Sequence, residues 1–79
     1  MKIEYEVISP SKLIVKSGDK KLTISGEATA NRVFYADTIS IKNWSSSAGE
    51  IIITKEVRDE IISYISEDSK NSSIPILFE

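Results

Sequence analysis

Histidine and cysteine are both absent from this 79-residue chain. Without histidine, the commonest general base and the commonest metal ligand are missing. Without cysteine there is no thiolate nucleophile and no disulfide. Glycine occurs three times, at 18, 26 and 49, too scattered to cradle a phosphate. Metal binding would fall to Asp and Glu oxygens alone, and no calcium-loop spacing is present. No apolar run is long enough to span a bilayer. Basic residues do not cluster as a nucleic-acid surface requires. These gaps remove most catalytic vocabulary. No enzyme, no metal and no cofactor is expected.

What remains is ordinary for a folded domain. Hydrophobic residues make up 41% of the chain and charged residues 28%, which places it among globular rather than disordered sequences. The length fits a single domain, 1–79. The net charge is only −2, but it is uneven. Residues 1–40 carry six basic and five acidic side chains, whereas 41–79 carry four and seven. The opening Met1-Lys2-Ile3-Glu4-Tyr5-Glu6 alternates acids with apolar residues and so lacks the apolar core of a signal peptide. The expected location is the cytosol.

Alternation marks the first half as strands. Lys2 to Ile8 points Ile3, Tyr5 and Val7 one way and Lys2, Glu4 and Glu6 the other. Ser9-Pro10-Ser11 breaks it. Lys12 to Ser17 follows, with Leu13 and Val15 inward. Gly18-Asp19 is a two-residue hairpin signal, since glycine in the first loop position permits the positive φ of a II′ turn. Lys21 to Glu27 puts Leu22, Ile24 and Gly26 on the core face. A fourth strand is predicted to reach about Ile41, with Val33, Tyr35, Ile39 and Ile41 inward. A β-bulge near Ala36-Asp37 would spare the carboxylate from burial.

Ser45 to Glu50 reads as a polar loop, and Ile51-Ile52-Ile53 as an apolar run that docks the chain. Thr54 is a good N-cap, and Glu56 suits the first turn of a helix. Val57, Ile61, Tyr64 and Ile65 form its apolar stripe, with Ile62 on the shoulder. They are expected to pack on Ile3, Tyr5, Leu13, Val15, Leu22 and Ile24. Pro75, inside the final strand, implies an edge, where a missing N–H is tolerated. The fold class is α+β: an antiparallel meander of four strands, one amphipathic helix on one face, and a short C-terminal edge strand.

Two groups of side chains are candidates for contact with a partner. Glu56, Glu60 and Glu67, with Asp59 beside them, form an acidic ridge on the outer side of the helix. A charged outer face is normal for a surface helix. An acidic stripe also meets a basic partner and steers its approach. The second group is Trp44 with the Ser45 to Glu50 loop, Glu50 included; at a strand end beside that loop, Trp44 suits a cap on the core more than an interface anchor. Glu4 and Glu6 share a strand face near Lys12 and Lys16, which reads as cross-strand charge pairing rather than acid–base chemistry.

Tyr35-x-Asp37-Thr38-Ile39 followed by Ile41-Lys42-x-Trp44 resembles a motif of a family of small bacterial polymorphic-toxin immunity proteins, immunity protein seventy-four. Ile53-Thr54-Lys55-Glu56, Ile61-Ile62 and Ile76-Leu77-Phe78-Glu79 are similar to it too. The resemblance covers roughly the second half of the chain. After Trp44 this chain has Ser45-Ser46-Ser47, where the family typically has Glu, a residue and Pro. The resemblance implies a cytosolic protein that binds a cognate toxin domain and blocks it, without catalysis or cofactor. Many such toxins are nucleases, whose basic surfaces would suit the acidic ridge. The other reading is a small regulatory or scaffold module that adds a strand to a partner through its sheet edge.

Overall fold

The computed structural model describes residues 2–79. Over these residues the chain forms seven strands, a 3₁₀ turn and one α-helix. The order is β1 (Glu4–Ser9), β2 (Lys12–Ser17), β3 (Lys20–Ala28), β4 (Phe34–Ala36), the turn Thr38–Ser40, β5 (Asn43–Ser46), β6 (Gly49–Ile52), α1 (Lys55–Ser69) and β7 (Ile76–Phe78). The fold is α+β, but it is not a four-stranded meander. The strand order is β1-β2-β3-β4-β7, and the β5–β6 hairpin joins the sheet on β3.

The first three strands follow their alternation, except that Ile14, on the other face of β2, is buried as well. Val15 lies between Tyr5 and Leu22, and Leu13 between Val7 and Ile24. Leu13, Val15, Leu22 and Ile24 are buried together with Ile3. The β2–β3 turn is Gly18-Asp19, closed by Ser17 opposite Lys20. Gly18 has φ 63° and Asp19 stays out of the left-handed region, as a II′ turn requires.

The predicted fourth strand stops at Ala36 and its faces are reversed. Phe34 and Ala36 enter the core, while Tyr35 turns outward and Ile39 is 75% exposed. Two local facts explain this. First, Gly26 lies opposite Ala36 on β3, and a Cβ at Gly26 would collide with the Phe34 ring and the Tyr35 carbonyl. The missing side chain is the space that Phe34 occupies, and a buried phenyl removes more apolar surface than Val33 would. Second, Asp37 does not sit in a bulge. Its Oδ1 accepts the Ile39 N–H at 3.0 Å and caps the 3₁₀ turn. A short Asp side chain offers the backbone a local alternative to the ladder. Ile41 re-enters the core after the turn.

Residues 45–50, read as a loop, form most of the β5–β6 hairpin instead. Its turn is Ser47-Ala48, with the Ala48 N–H donating to Ser46 Oγ and the Ser46 hydroxyl donating to the Gly49 carbonyl. Ser45 lies opposite Lys21 of β3, and this contact carries Trp44 into the core. Of the isoleucine run only Ile53 is buried; Ile51 and Ile52 are exposed. Alternation turns Ile52 to the face opposite Ile51 and Ile53; Ile51, across from Trp44, shares the inner face with Ile53 yet stays 44% exposed.

Thr54 caps α1 as predicted, its hydroxyl accepting the Val57 N–H at 3.3 Å. Ile61 and Ile65 are fully buried, and Val57 and Ile62 pack against the same core. Tyr64 is the correction: it is 44% exposed. The inner stripe continues from Ile65 to Ser69, four residues on, which leaves Tyr64 at the flank. Ser69 is completely buried, and its Oγ accepts the Ile76 N–H at 2.9 Å. That bond fixes the start of β7 against the helix end. β7 then runs parallel to β4, with Phe34 opposite Ile76 and Ala36 opposite Phe78. A parallel neighbour needs a long crossover, and α1 supplies it. β7 lies at the end of the strand order, where Pro75 placed it.

Candidate partner-binding surfaces

The acidic ridge of α1 is exposed along its length. Glu56, Asp59, Glu60 and Glu67 all lie on the solvent side, because the stripe Val57-Ile61-Ile65-Ser69 faces the sheet. Their charges are not equally available. Lys55 Nζ sits 3.3 Å from Asp59 Oδ2, Arg58 Nε 3.8 Å from Asp59 Oδ1, and Lys70 Nζ 4.0 Å from Glu67 Oε1. Among the described residues no basic group comes within 4 Å of Glu56 or Glu60. These two carry the least compensated charge on the ridge. Tyr64 borders it and adds an exposed aromatic ring.

At the far side of the helix, Tyr5 donates its phenol to Asp68 Oδ2 at 2.6 Å. Its pKa is pushed up from 10.0 to about 12, first by partial burial, then by the bond to the Asp68 carboxylate and its charge, with Tyr64 adding to the effect. A negative neighbour disfavours the phenolate. The contact pins β1 to α1 and keeps Asp68 apart from the ridge.

The two remaining candidates fall on opposite sides of the hairpin. Trp44 is 2% exposed and part of the core, with Lys20 Nζ 5.5 Å above its ring. Glu50 is exposed on β6, opposite Ser45, which is itself opposite Lys21. With Lys21 opposite Lys16 and Lys16 opposite Glu4, a charged row crosses the outer face of the sheet from Glu4 to Glu50. Opposite residues share a face. Beside Glu50 this face opens into a shallow hollow of about 470 Å³ that also takes in Lys42 and Thr23. Glu4 meets Lys16 in register, but Glu6 meets Ile14, and no ion pair within 4 Å forms here among the described residues.

No group of three or more Asp or Glu side chains among the described residues is arranged to hold a metal ion. Among the described residues no helix is long and apolar enough to cross a membrane. What the surface offers is recognition chemistry: a helix ridge of carboxylates, a mixed-charge sheet face, and the unpaired side of β6. The sequence pattern exposed the ridge directly. It missed β6, although Ser45-Ser46-Ser47-Ala48-Gly49 between Trp44 and Ile51 is a short glycine-containing segment of the kind that joins hairpin strands.

Compared with known families, residues 2–79 match the model described as Immunity protein 74. The match takes in β1 to β3 as well as the second half of the chain. No curated protein and no solved structure matches.

Proposed function

The chain belongs to the immunity protein 74 family, and from that membership we propose that it binds a cognate bacterial toxin domain in the cytosol and neutralises it. The family match over residues 2–79 carries this reading. The action is stoichiometric: the protein occupies the toxin's active site or a neighbouring surface and needs no catalysis or cofactor of its own. The composition supports this, since the chain has neither histidine nor cysteine.

The contact begins at the acidic ridge. Glu56 and Glu60 have no basic group within 4 Å among the described residues, and Asp59 and Glu67 extend their charge. A toxin that holds phosphates, such as a nuclease, carries the basic surface that complements them. Glu50 adds a further carboxylate on β6. Trp44 supports the hairpin from inside rather than touching the partner.

The test uses the toxin domain encoded beside this chain's gene. Wild type should bind it and protect cells that express it. Charge reversal, Glu56→Lys with Glu60→Lys, should slow association and flatten its dependence on salt, because rim charges act mainly on the on-rate. Unchanged rates at low salt would reduce the ridge to a solvated helix face. Failure of the wild-type protein to bind or protect would sink the immunity reading itself.

A further inference from the structure

Among the described residues the sheet has three outer strands, β1, β6 and β7, and two of them are blunted. β1 carries a bulge between Val7 and Ser9, two glutamates, and the Tyr5–Asp68 tie to the helix. β7 is three residues long and preceded by Pro75, and its first N–H is taken by Ser69 Oγ. Bulges, charges, proline and a covering helix are the devices that keep sheet edges from pairing with other chains. β6 has fewer of them. It contains no proline and no lysine, among the described residues it pairs only with β5, and all four of its residues are exposed.

The register shows which backbone groups are free. Ile53 donates its N–H to the Lys42 carbonyl at 2.9 Å, so residues 42 and 53 form a hydrogen-bonded pair. Bonded and non-bonded pairs alternate along an antiparallel ladder. Ile51 and Gly49 therefore bond inward to Trp44 and Ser46, while the N–H and C=O of Glu50 and Ile52 point away from the sheet. Among the described residues nothing bonds to these two amides. Beside them, the Ile52 side chain is 79% exposed.

We propose that an extended segment of the toxin adds to the sheet along the outer edge of β6, taking its backbone hydrogen bonds from Glu50 and Ile52. The inference rests on the immunity reading above and names how the contact is made. Main-chain bonds of this kind supply affinity, and side chains at alternate positions supply specificity. The incoming strand places a Lys or Arg across from Glu50 and an apolar residue across from Ile52, since opposite charges and apolar pairs are the favoured cross-strand neighbours. β6 leads through Ile53 and Thr54 directly into the first turn of α1, where Glu56 begins the acidic ridge. A basic partner seated on this edge thus meets Glu50 and Glu56 from one direction.

Proline at 52 tests the edge without breaking the hairpin, because the N–H it removes is the outward one. Ile52→Thr keeps that N–H and a good strand former, and serves as its control. Binding to the neighbouring-gene toxin domain is measured for both, with thermal unfolding of each free protein. Ile52→Pro should lose at least tenfold in affinity with little change in its unfolding midpoint, and Ile52→Thr should stay within a few fold. Amide exchange gives a second reading that needs no variant. The Glu50 and Ile52 amides of wild type should exchange fast alone and slowly with toxin. Toxin binding that leaves both amides fast, or that Ile52→Pro does not weaken, overturns the proposal. So does slow exchange in the toxin-free protein with a doubled mass in solution, which would give the edge to a second copy of this chain. A wild-type protein that binds no toxin fails the immunity reading instead and removes the proposed occupant with it.

Discussion

Tyr5 and Asp68 lie 63 residues apart in the chain and 2.6 Å apart in the fold. The phenol keeps its proton up to about pH 12 when folded, against 10.0 for an ordinary tyrosine. As pH rises past 10, the unfolded chain releases this proton before the folded one does. The contribution of Tyr5 to stability is therefore complete below pH 10 and is lost as pH climbs towards 12. Denaturation midpoints of wild type and Tyr5→Phe should differ by a constant amount from pH 7 to 10, and the difference should change in wild type's disfavour above that. A difference independent of pH up to 12 would show that the phenol does not hold Asp68 in solution. Gly26 and Asp37 act at the same scale. The absent Cβ of one admits Phe34, and the carboxylate of the other stops the strand. Neither effect has a period, so pattern reading passes over both.

Elements were legible where one face is buried along a regular element. The three N-terminal strands, the II′ turn and the Thr54 cap follow from alternation, a Gly-Asp pair and a hydroxyl at the right position. The helix stripe is right at Val57, Ile61 and Ile65 and wrong at Tyr64, where the fold prefers Ser69. Ile61 is the central test of how α1 docks. It is completely buried between the helix and the sheet, so Ile61→Ala should cost about 2–5 kcal/mol, combining lost transfer energy with a cavity. Urea denaturation measures it. A loss under about 0.5 kcal/mol, with an unchanged slope, would mean the helix does not pack on this face. The β5–β6 hairpin was hidden because its strands are four residues each and β6 is exposed on every residue. Such a strand writes no alternating pattern, and its two isoleucines read as part of an apolar run instead.

One core serves the entire molecule. Trp44 of the hairpin, Ile61 of the helix, Ile76 of β7 and Leu13 of β2 belong to the same buried cluster. Separate unfolding of hairpin and helix would have to split that cluster, so the two should unfold together. Trp44 fluorescence and far-ultraviolet dichroism at the helix band should give superimposable transitions. The native emission should be blue-shifted and move to the red on unfolding, as the indole leaves the core for water. A fluorescence midpoint well below the dichroism midpoint would show the hairpin detaching first. The acidic ridge and the β6 edge both face away from this cluster, which is why either can meet a partner without disturbing the fold.

The α+β class, the inward residues of β1 to β3, the N-cap and buried stripe of α1, and the exposed ridge of Glu56, Asp59, Glu60 and Glu67 could all be read from the amino-acid sequence. Each depends on spacing within one segment. The sequence also carried the family motif from Tyr35 to Trp44. The rest emerged only when the segments met in the fold. Which face of β4 turns inward depends on a vacancy at Gly26 eight residues earlier. The parallel seat of β7 depends on Ser69 meeting Ile76 and on the length of the helix between the two strands. The open edge at Glu50 and Ile52 depends on which neighbours the other strands found. Hydrogen-bond donors left over at an edge are a property of the assembled sheet, and no single segment encodes them.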